Sequence, residues 1–512
     1  MTSHATSGRR AQRGFAGLTA ACLAVGLLAV GAARPARAQI GFDEGSISGA
    51  NQAQVWVADS SEAASYLNLF DLQYAKGPWL VAARLEFDEE ARTDAEHFQG
   101  IARRWIEYRG EDATLRAGTF YATFGRGLLL RAEEDEAVRI DRNIDGAHGA
   151  LRWRNLDGQA FLGRPRNDDT HERDDLLAGA EFGVRLRPQL RIGAGYVRMD
   201  AALEEGETSE GEEGALELGS PAEELFGGSV QFSHGIMEAV VEGAKRYVHG
   251  ERDPRSGWIG VSGLDGRAIY GSLSLGVPGY TLLIEAKDYE KFDAPYSTLP
   301  PVNEAGQPIN NGVDERGFGA TLTASPRAEV TIEATGSYAE APEADDPGER
   351  SAVQGSVRRD WWGRGALELG GEWTEEVELE SHAYRRFYGP EIEASYYVSS
   401  SSSLSLHGKV QSWINEIRGG TRDEYTEITS DLTFALDPYR SAVLAIIHAT
   451  EAIDEYEGDD TWISLQLAWS FGYDHDLKVK LGEERGGIVC SGGICHYEPP
   501  FSGVRIEFTS RF

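Results

Sequence analysis

Residues 461–471 read TWISLQLAWSF, and along this stretch large apolar side chains alternate with mostly small or polar ones. The apolar set occupies every second position and consists of Ile463, Leu465, Leu467, Trp469 and Phe471. Between its members lie Trp462, Ser464, Gln466, Ala468 and Ser470. Because side chains of a β-strand point alternately to its two faces, this period of two predicts a strand with one apolar face.

The same alternation recurs along the chain. Near its end, Val504, Ile506, Phe508 and Phe512 share one face, and charged residues such as Arg505 fall between them. A soluble β-sandwich also has alternating strands, but these usually span about five or six residues. Many strands predicted here run about nine to twelve residues, which is long enough to cross a bilayer at a tilt.

Alternation and turn residues together predict about 24 strands (22–26), which begin near residues 46, 65, 78, 99, 113, 147, 157, 176, 190, 224, 236, 266, 278, 316, 328, 350, 365, 388, 402, 424, 440, 461, 475 and 501. Short connections such as KGP, GED and PQ alternate with long ones such as 201–223, 290–315 and 485–500. This alternation is typical of outer-membrane barrels, which have short periplasmic turns and long extracellular loops. The predicted fold class is therefore all-β, a transmembrane antiparallel β-barrel.

The first 38 residues predict export. Arg9, Arg10 and Arg13 precede an apolar run, and the small residues Ala36 and Ala38 follow it. This order is that of a secretory signal peptide cleaved before Gln39. We therefore expect residues 39–512 to form a barrel in the bacterial outer membrane.

Removal of this leader would leave a strongly acidic chain. The sequence has 49 Lys and Arg against 83 Asp and Glu, and the leader takes five arginines and no acids, which leaves 44 basic residues and a net charge of −39. Such a charge argues against nucleic acid as a partner. The expected partners are outer-membrane lipid and lipopolysaccharide. The barrel assembly machinery is also expected, because the pattern ending at Phe512 looks like the C-terminal strand signal that it recognises.

One long connection, residues 121–149, differs from a flexible loop. It contains Leu128, Leu129, Leu130 and Ile140, which favour burial, and many charged residues of both signs. We predict that it folds into the lumen and forms a pore constriction, with candidate residues Arg126, Arg131, Glu133, Glu134, Asp135, Arg139, Asp141, Arg142 and Asp145. The alternative is an ordered extracellular loop with surface ion pairs.

Residues 201–223 form a strongly acidic connection, and no Lys or Arg occurs between Arg198 and Lys245. The simplest interpretation is a solvated extracellular loop. A sharper hypothesis is loose binding of Ca²⁺ or Mg²⁺ near lipopolysaccharide, since hard cations prefer carboxylate oxygens. No other cofactor is expected. The chain lacks the G-x-S-x-G, H-E-x-x-H and glycine-rich phosphate motifs, so we do not expect an enzyme.

Cys490 and Cys495 lie in the last long connection, residues 485–500. A structural zinc site needs four ligands, and redox motifs usually have two residues between the cysteines. An exported chain meets an oxidising compartment, so a disulfide on an extracellular loop is the favoured prediction. Closing so short a loop would contribute only about 2 kcal/mol.

Three motifs resemble an uncharacterised family of Gram-negative outer-membrane barrel proteins. The F-G-x-G-L-x-L-R element matches Phe124, Gly125, Gly127, Leu128, Leu130 and Arg131. The I-D-x-x-I-D-G element matches Ile140, Asp141, Ile144, Asp145 and Gly146, and the C-x-G-G-x-C element matches Cys490, Gly492, Gly493 and Cys495. The resemblance implies a barrel and export, and it implies no activity.

The expected function is a porin-like passive channel for small solutes. The alternative is a barrel with a structural or binding role, such as a surface receptor, an adhesin or the membrane part of an assembly. A plugged transporter is disfavoured, because the short stretch between Gln39 and the first predicted strand has no room for a plug domain.

Overall fold

The computed structural model describes residues 40–42, 45–58, 64–89, 98–135, 140–167, 173–200, 222–249, 266–302, 314–342, 347–361, 363–378, 384–416, 422–450, 460–491, 494–498 and 500–512. Twenty-four strands of 8 to 16 residues dominate it. They are β1 (Gly45–Ala58), β2 (Ala64–Lys76), β3 (Trp79–Glu89), β4 (Phe98–Arg109), β5 (Ala113–Phe120), β6 (Ile144–Trp153), β7 (Leu156–Pro165), β8 (Leu176–Arg187), β9 (Leu190–Asp200), β10 (Ala222–His234), β11 (Met237–His249), β12 (Gly266–Val277), β13 (Tyr280–Glu290), β14 (Arg316–Arg327), β15 (Val330–Ala341), β16 (Gly348–Asp360), β17 (Gly365–Glu378), β18 (Tyr384–Tyr397), β19 (Ser403–Glu416), β20 (Arg422–Asp437), β21 (Arg440–Ala449), β22 (Thr461–Phe471), β23 (His475–Glu484) and β24 (Phe501–Arg511).

The strands form one closed antiparallel barrel. Each pairs with its neighbours in the chain, and β1 pairs with β24 from Ala50↔Arg511 to Ala58↔Gly503. A short strand, Ile40–Phe42, pairs antiparallel with the start of β1, from Ile40↔Ile47 to Phe42↔Gly45. The predicted fold is confirmed, and every predicted strand start lies within four residues of the observed one. A strand spacing of ~4.8 Å and a tilt of ~40° give a backbone diameter of roughly 45–50 Å.

Short and long connections alternate around most of the barrel, and those after β17, β18 and β19 have five residues each. Connections after even-numbered strands hold two to five residues, and those after odd-numbered strands hold five to 25. We name the two rims the turn end and the loop end. Gly77 (φ 55°) and Gly235 (φ 61°) lie in short turns at the turn end, where a left-handed backbone suits a tight hairpin. The predicted alternation is thus confirmed.

The two faces of the sheet differ as the alternation predicts. The outer face exposes large apolar side chains around the barrel, and Leu115, Leu151, Phe182, Phe318 and Leu369 are each more than half exposed. On β22, Ile463 and Phe471 are exposed, while Trp462 and Ser464 are buried on the inner face. An apolar outer band suits contact with lipid. No helix in the described residues is long and apolar enough to span a membrane.

The main apolar core lies inside the barrel, at the loop end. Its members come from two connections and from the inner face of β5–β13, and they are Phe120, Ala122, Phe124, Leu128, Leu129, Leu130, Ala132, Ile144, Phe161, Leu177, Val197, Met199, Leu225, Ala244, Ala268, Tyr270, Tyr289, Phe292, Ala294 and Val302. Within the described ranges, no member belongs to β14–β24. One side of the lumen therefore contains a packed layer, and this layer positions the candidate site.

Candidate functional site

Residues 121–143 connect β5 to β6 and fold back into the barrel; we call them the inward segment. The structure describes 121–135 and 140–143 of it. Its backbone forms two short antiparallel pairs, Ala122–Phe124 with Leu130–Ala132 and Glu134–Asp135 with Ile140–Asp141. These pairs satisfy main-chain groups that would be costly to leave unbonded away from water.

The leucines of the inward segment pack on the inner wall. Leu128 and Leu130 are fully buried. Leu129 lies against β9 and β10, because a Cβ atom placed on Gly195 or Gly227 would come within 2.6 Å or 2.9 Å of its Cδ1 atom. Glycine at these two wall positions therefore makes room for the segment. Burial stabilises this packing by roughly 1.5–3 kcal/mol per leucine.

The tip of the inward segment is hydrogen-bonded to β8 and β11, the two strands that flank β9 and β10. The backbone N–H of Arg126 donates to Glu242 Oε2 (2.9 Å) on β11, and that of Gly125 donates to Glu181 Oε1 (3.1 Å) on β8. The exposed guanidinium of Arg126 lies 5.6 Å from the ring centroid of Tyr270 on β12. Such a contact contributes about 0.5–1 kcal/mol at an exposed site.

The other end of the inward segment joins an ion network on the wall. Glu134 accepts hydrogen bonds from Arg84 (2.7 Å) and Arg103 (2.7 Å). Asp141 pairs with Arg103 (3.0 Å) and Arg166 (3.1 Å). Two further wall carboxylates complete the network, since Arg84 also pairs with Asp71 (2.8 Å) and Arg166 with Glu86 (3.0 Å). The segment is therefore held at both ends and lines the inner wall from β3 to β12.

Burial and neighbouring charges set the protonation of this network. Burial raises the pKa of Glu134, but hydrogen bonds and charge from Arg103 and Arg84 outweigh it and hold that pKa below its usual range. In the same way, Arg103, Tyr121 and Asn143 outweigh burial and lower the pKa of Asp141. Burial and Asp141 raise the pKa of Tyr121, whose hydroxyl donates to Asp141 Oδ1 (2.6 Å). Both carboxylates are thus ionised at neutral pH.

The first part of the connection from β13 to β14, residues 291–302, packs on the inward segment. The N–H of Thr298 donates to the carbonyl of Gly127 (3.1 Å), and the N–H of Arg131 donates to that of Tyr296 (2.7 Å). Phe292 is fully buried. The sequence pattern predicts 290–315 only as a long extracellular loop. The sequence feature that indicates burial here is the run from Phe292 to Val302, which contains more apolar residues than a solvated loop needs.

The charged end of the inward segment borders a cavity of about 380 Å³ inside the barrel. One side of the cavity is formed by this end of the segment and by β3–β4, the other side by β1, β23 and β24, and β2 lines the space between them. The lining includes Glu134, Asp135 and Asp141 from the predicted constriction residues. The arrangement brings fixed charges of both signs around a space that a small solute can enter.

The predicted constriction residues are placed as follows. Glu134 and Asp141 join the ion network, Asp135 lines the cavity and Arg126 is the exposed tip. Arg131 pairs with Glu133 (2.6 Å), whose carbonyl accepts the N–H of Arg142 (3.0 Å). Arg139 lies outside the described residues. Most of the predicted set therefore lies in one inward layer.

Asp145 was predicted to line the constriction, but it does not lie in the inward layer. It stands opposite Thr119 on β5 and Arg164 on β7, one residue after the inward-facing Ile144. Its carboxylate pairs with Arg104 (3.3 Å), which is 67% exposed. Because successive strand residues point to opposite faces, Asp145 lies on the outer face and not in the lumen.

The wall residues that hold the segment were not predicted from the sequence. Arg84, Arg103 and Arg166 and their partners Glu86 and Asp71 belong to strands or lie beside them, and the loop motif does not contain them. The available signal was a charged side chain at inner-face positions of β3 and β4. Such a signal identifies the face, but it does not identify the partner.

The cysteine hairpin is described only in its backbone. Gly487–Ser491 pairs with Ile494–Glu498, and Cys490 stands directly opposite Cys495. The side chains of both cysteines lie outside those described, so the disulfide stays a prediction. Residues 1–38 with the predicted cleavage site and residues 201–221 of the acidic loop also lie outside the described part of the chain.

The C-terminal residues help to close the barrel. Val504, Ile506 and Phe508 face outward on β24, as the alternation predicts. Phe512 and Gly49 exchange two backbone hydrogen bonds (2.8 Å and 2.9 Å), and the ring of Phe512 stacks on Phe70 with centroids 6.1 Å apart. In the described residues, no group of three or more His, Cys, Asp or Glu side chains is arranged to hold a metal ion.

Solved structures share the barrel fold. A cryo-EM structure of the E. coli P pilus tip assembly intermediate PapC-PapD-PapK-PapG matches with a TM-score of 0.54 and 10% identity, over 93% of this chain and 62% of that chain. The P pilus usher (PapC) translocation pore gives 0.47 and 10% over 91% and 99% of the two chains, and the copper transporter OprC gives 0.44 and 10% over 91% and 80%. At such identities the likeness shows the fold alone.

The sequence comparisons give a family without an assigned function. Among curated proteins, none matches this chain in sequence. The profile of a family of unknown function, DUF6029, matches residues 19–311 and 449–512, which include the inward segment and the cysteine hairpin. The chain therefore belongs to the family of unknown function DUF6029.

Proposed function

We propose that this protein is a passive channel for small hydrophilic solutes in the bacterial outer membrane, with the inward segment as its constriction. The observation that carries the proposal is the attachment of this segment inside the barrel by Leu129, Arg126 and the Glu134–Asp141 network. A layer fixed at both ends narrows the lumen without a separate plug domain.

The dimensions favour this interpretation. A 24-stranded barrel would leave a lumen far wider than a small solute. A layer packed on the wall reduces that width by about 10 Å on one side, which is the usual spacing of packed layers. The end of the layer that borders the cavity carries the ionised carboxylates of Glu134 and Asp141, and fixed charges near a narrow passage tune its selectivity.

The proposed partners of the barrel are outer-membrane lipid, lipopolysaccharide and the barrel assembly machinery. The apolar outer face supports contact with outer-membrane lipid and lipopolysaccharide. The outward alternation that ends at Phe512 supports recognition by the barrel assembly machinery. The leader at residues 1–38 would deliver the chain across the inner membrane, with the turn end in the periplasm and the loop end outside.

Single-channel recording in planar bilayers tests the function. We expect stable open channels from the purified, signal-cleaved protein. A variant with a Gly-Ser-Gly linker in place of residues 123–131 should conduct more strongly, because the leucine anchor and the tip are removed. Heat-modifiable migration on a gel checks that this variant still forms a barrel. Absence of conductance from the intact barrel would overturn the channel and favour a structural or binding role.

A further inference from the structure

The cavity beside the inward segment has two sides of different charge. The segment side, which includes β3–β4, has five carboxylates, on Glu86, Asp88, Glu134, Asp135 and Asp141. It has three guanidinium groups, on Arg84, Arg103 and Arg166. Among the lining side chains that the structure describes, acids therefore outnumber bases on this side.

The opposite side, which we call the seam side, is formed by β23, β24 and β1. It has two cations, on Lys478 and Arg505, and one carboxylate, on Glu507. Two uncharged amides, on Gln52 and Gln54, lie beside them. The seam side is therefore positive where the segment side is negative.

The charges on the seam side are held in place but remain accessible. Gln54 Nε2 donates to Glu507 Oε1 (3.0 Å), and Lys478 Nζ lies 3.4 Å from Glu507 Oε2 with its side chain 54% exposed. The guanidinium of Arg505 lies 4.9 Å from the ring centroid of Trp56 and pairs with Glu484 (3.3 Å). Such contacts fix the direction of Arg505, while the exposed part of the Lys478 side chain can meet a solute.

We propose that this cavity selects small zwitterions, with their ammonium group toward the segment side and their carboxylate toward Lys478 and Arg505. Opposite potentials across a small space favour a solute that carries both charges over an uncharged one of the same size. A solute with one charge gains on one side and is opposed on the other. This inference rests on the proposed channel function and adds its substrate class.

Liposome swelling with two isomers tests the preference. L-alanine is a zwitterion, and lactamide has the same atoms without formal charges. With low concentrations of each solute, we expect swelling with L-alanine to be roughly two- to five-fold faster than swelling with lactamide. This ratio of rates corresponds to the free energy of one exposed ion pair. Equal rates, or faster entry of lactamide, would contradict the proposed zwitterion preference and would leave the proposed channel function intact. Failure of both isomers to enter would instead count against the channel itself.

Two substitutions locate the preference. Lys478→Gln and Arg505→Gln should each bring the ratio of L-alanine to lactamide rates closer to one. Lys245→Gln is the matched control, because Lys245 lies exposed on the outer face of β11; this variant should keep the wild-type ratio. Lys478 is largely solvated, so its replacement should leave heat-modifiable migration unchanged. If the folded Lys478→Gln and Arg505→Gln proteins keep the wild-type ratio of L-alanine to lactamide rates, the assignment of the site is wrong.

Discussion

Two glycines on the barrel wall decide whether the inward segment can dock. Gly195 and Gly227 face Leu129 at distances that leave no room for a Cβ atom. A glycine inside a strand weakens it, and it often marks a place where another group approaches the backbone closely. The sequence contains both glycines, but only the register of β9 and β10 brings them side by side under one leucine.

We expect Gly195→Val to loosen the inward segment and raise the single-channel conductance. The added side chain overlaps Leu129, and overpacking of this kind costs about 1–3 kcal/mol. Gly243→Val is the matched control, since a Cβ atom there would meet its nearest neighbour at 3.7 Å, an ordinary contact. Equal conductance in the two variants would show that Leu129 does not anchor the segment.

The carboxylates of the ion network predict a dependence on pH. The pKa of Glu134 lies below its ordinary value of 4.5 because Arg103 and Arg84 outweigh the effect of burial. A lowered pKa in the folded state stabilises the ionised form, so the attachment is at full strength above pH 4.5 and weakens as the pH falls below it.

Conductance between pH 7 and pH 3 should therefore be steady to about pH 4.5 and rise at lower values. A Glu134→Gln/Asp141→Asn double variant lacks both titrating groups. It should conduct more at pH 7 than the wild type and depend less on acid. A wild-type conductance that falls steadily on acidification would contradict this role of the network.

The inward segment as an element was partly visible in the sequence. Leu128, Leu129 and Leu130 identified it as a connection with something to bury, and that expectation agrees with their burial. Its partners could not be identified in the same way, because Glu242, Arg84 and Arg103 lie on strands distant in the chain. Residues 291–302 were missed, because they have no motif and their hydrogen bonds to the inward segment join residues far apart in the chain.

The cysteine hairpin is an element whose backbone favours a covalent link. Cys490 and Cys495 are directly opposed in an antiparallel pair. Opposed residues in such a pair have Cα atoms about 4.5–5.5 Å apart, within the range that a disulfide spans.

A thiol titration of the protein isolated from outer membranes should detect no free thiol before reduction and two after it. The third cysteine, Cys22, belongs to the predicted leader. A Cys490→Ser/Cys495→Ser variant should still migrate as a heat-modifiable barrel, because the link closes only a local hairpin. Two free thiols in the unreduced protein would refute the disulfide.

At the scale of the whole molecule, the lumen wall opposite the inward segment is acidic. Inward carboxylates on β15–β20 include those of Glu333, Asp360, Glu368, Glu372, Glu376, Glu391, Glu393, Glu427 and Asp431. On the same face the described cations are Arg350, Arg358, Arg385 and Lys409, with His407 between Glu391 and Asp431. An excess of fixed carboxylates attracts cations to the lumen.

Reversal potentials in a KCl gradient should therefore show a preference for K⁺ over Cl⁻. A Glu333→Gln/Glu393→Gln variant should reduce that preference, since both side chains lie on the inner face. Glu340→Gln is the control, because Glu340 lies on the outer face of β15 beside Tyr338. A preference for Cl⁻ in the wild type would contradict this distribution of charge.

The sequence by itself determined the barrel, the approximate number of its strands and the apolar face of the strands. These properties depend on the period of two in the strands and on the lengths of the connections, which are local features of the sequence. Only the tertiary structure decided where the inward segment lies, that Asp145 faces outward and that Arg84, Arg103 and Arg166 meet Glu134 and Asp141. Those contacts join residues far apart in the chain, and closure of the sheet is what brings them to one face of the lumen.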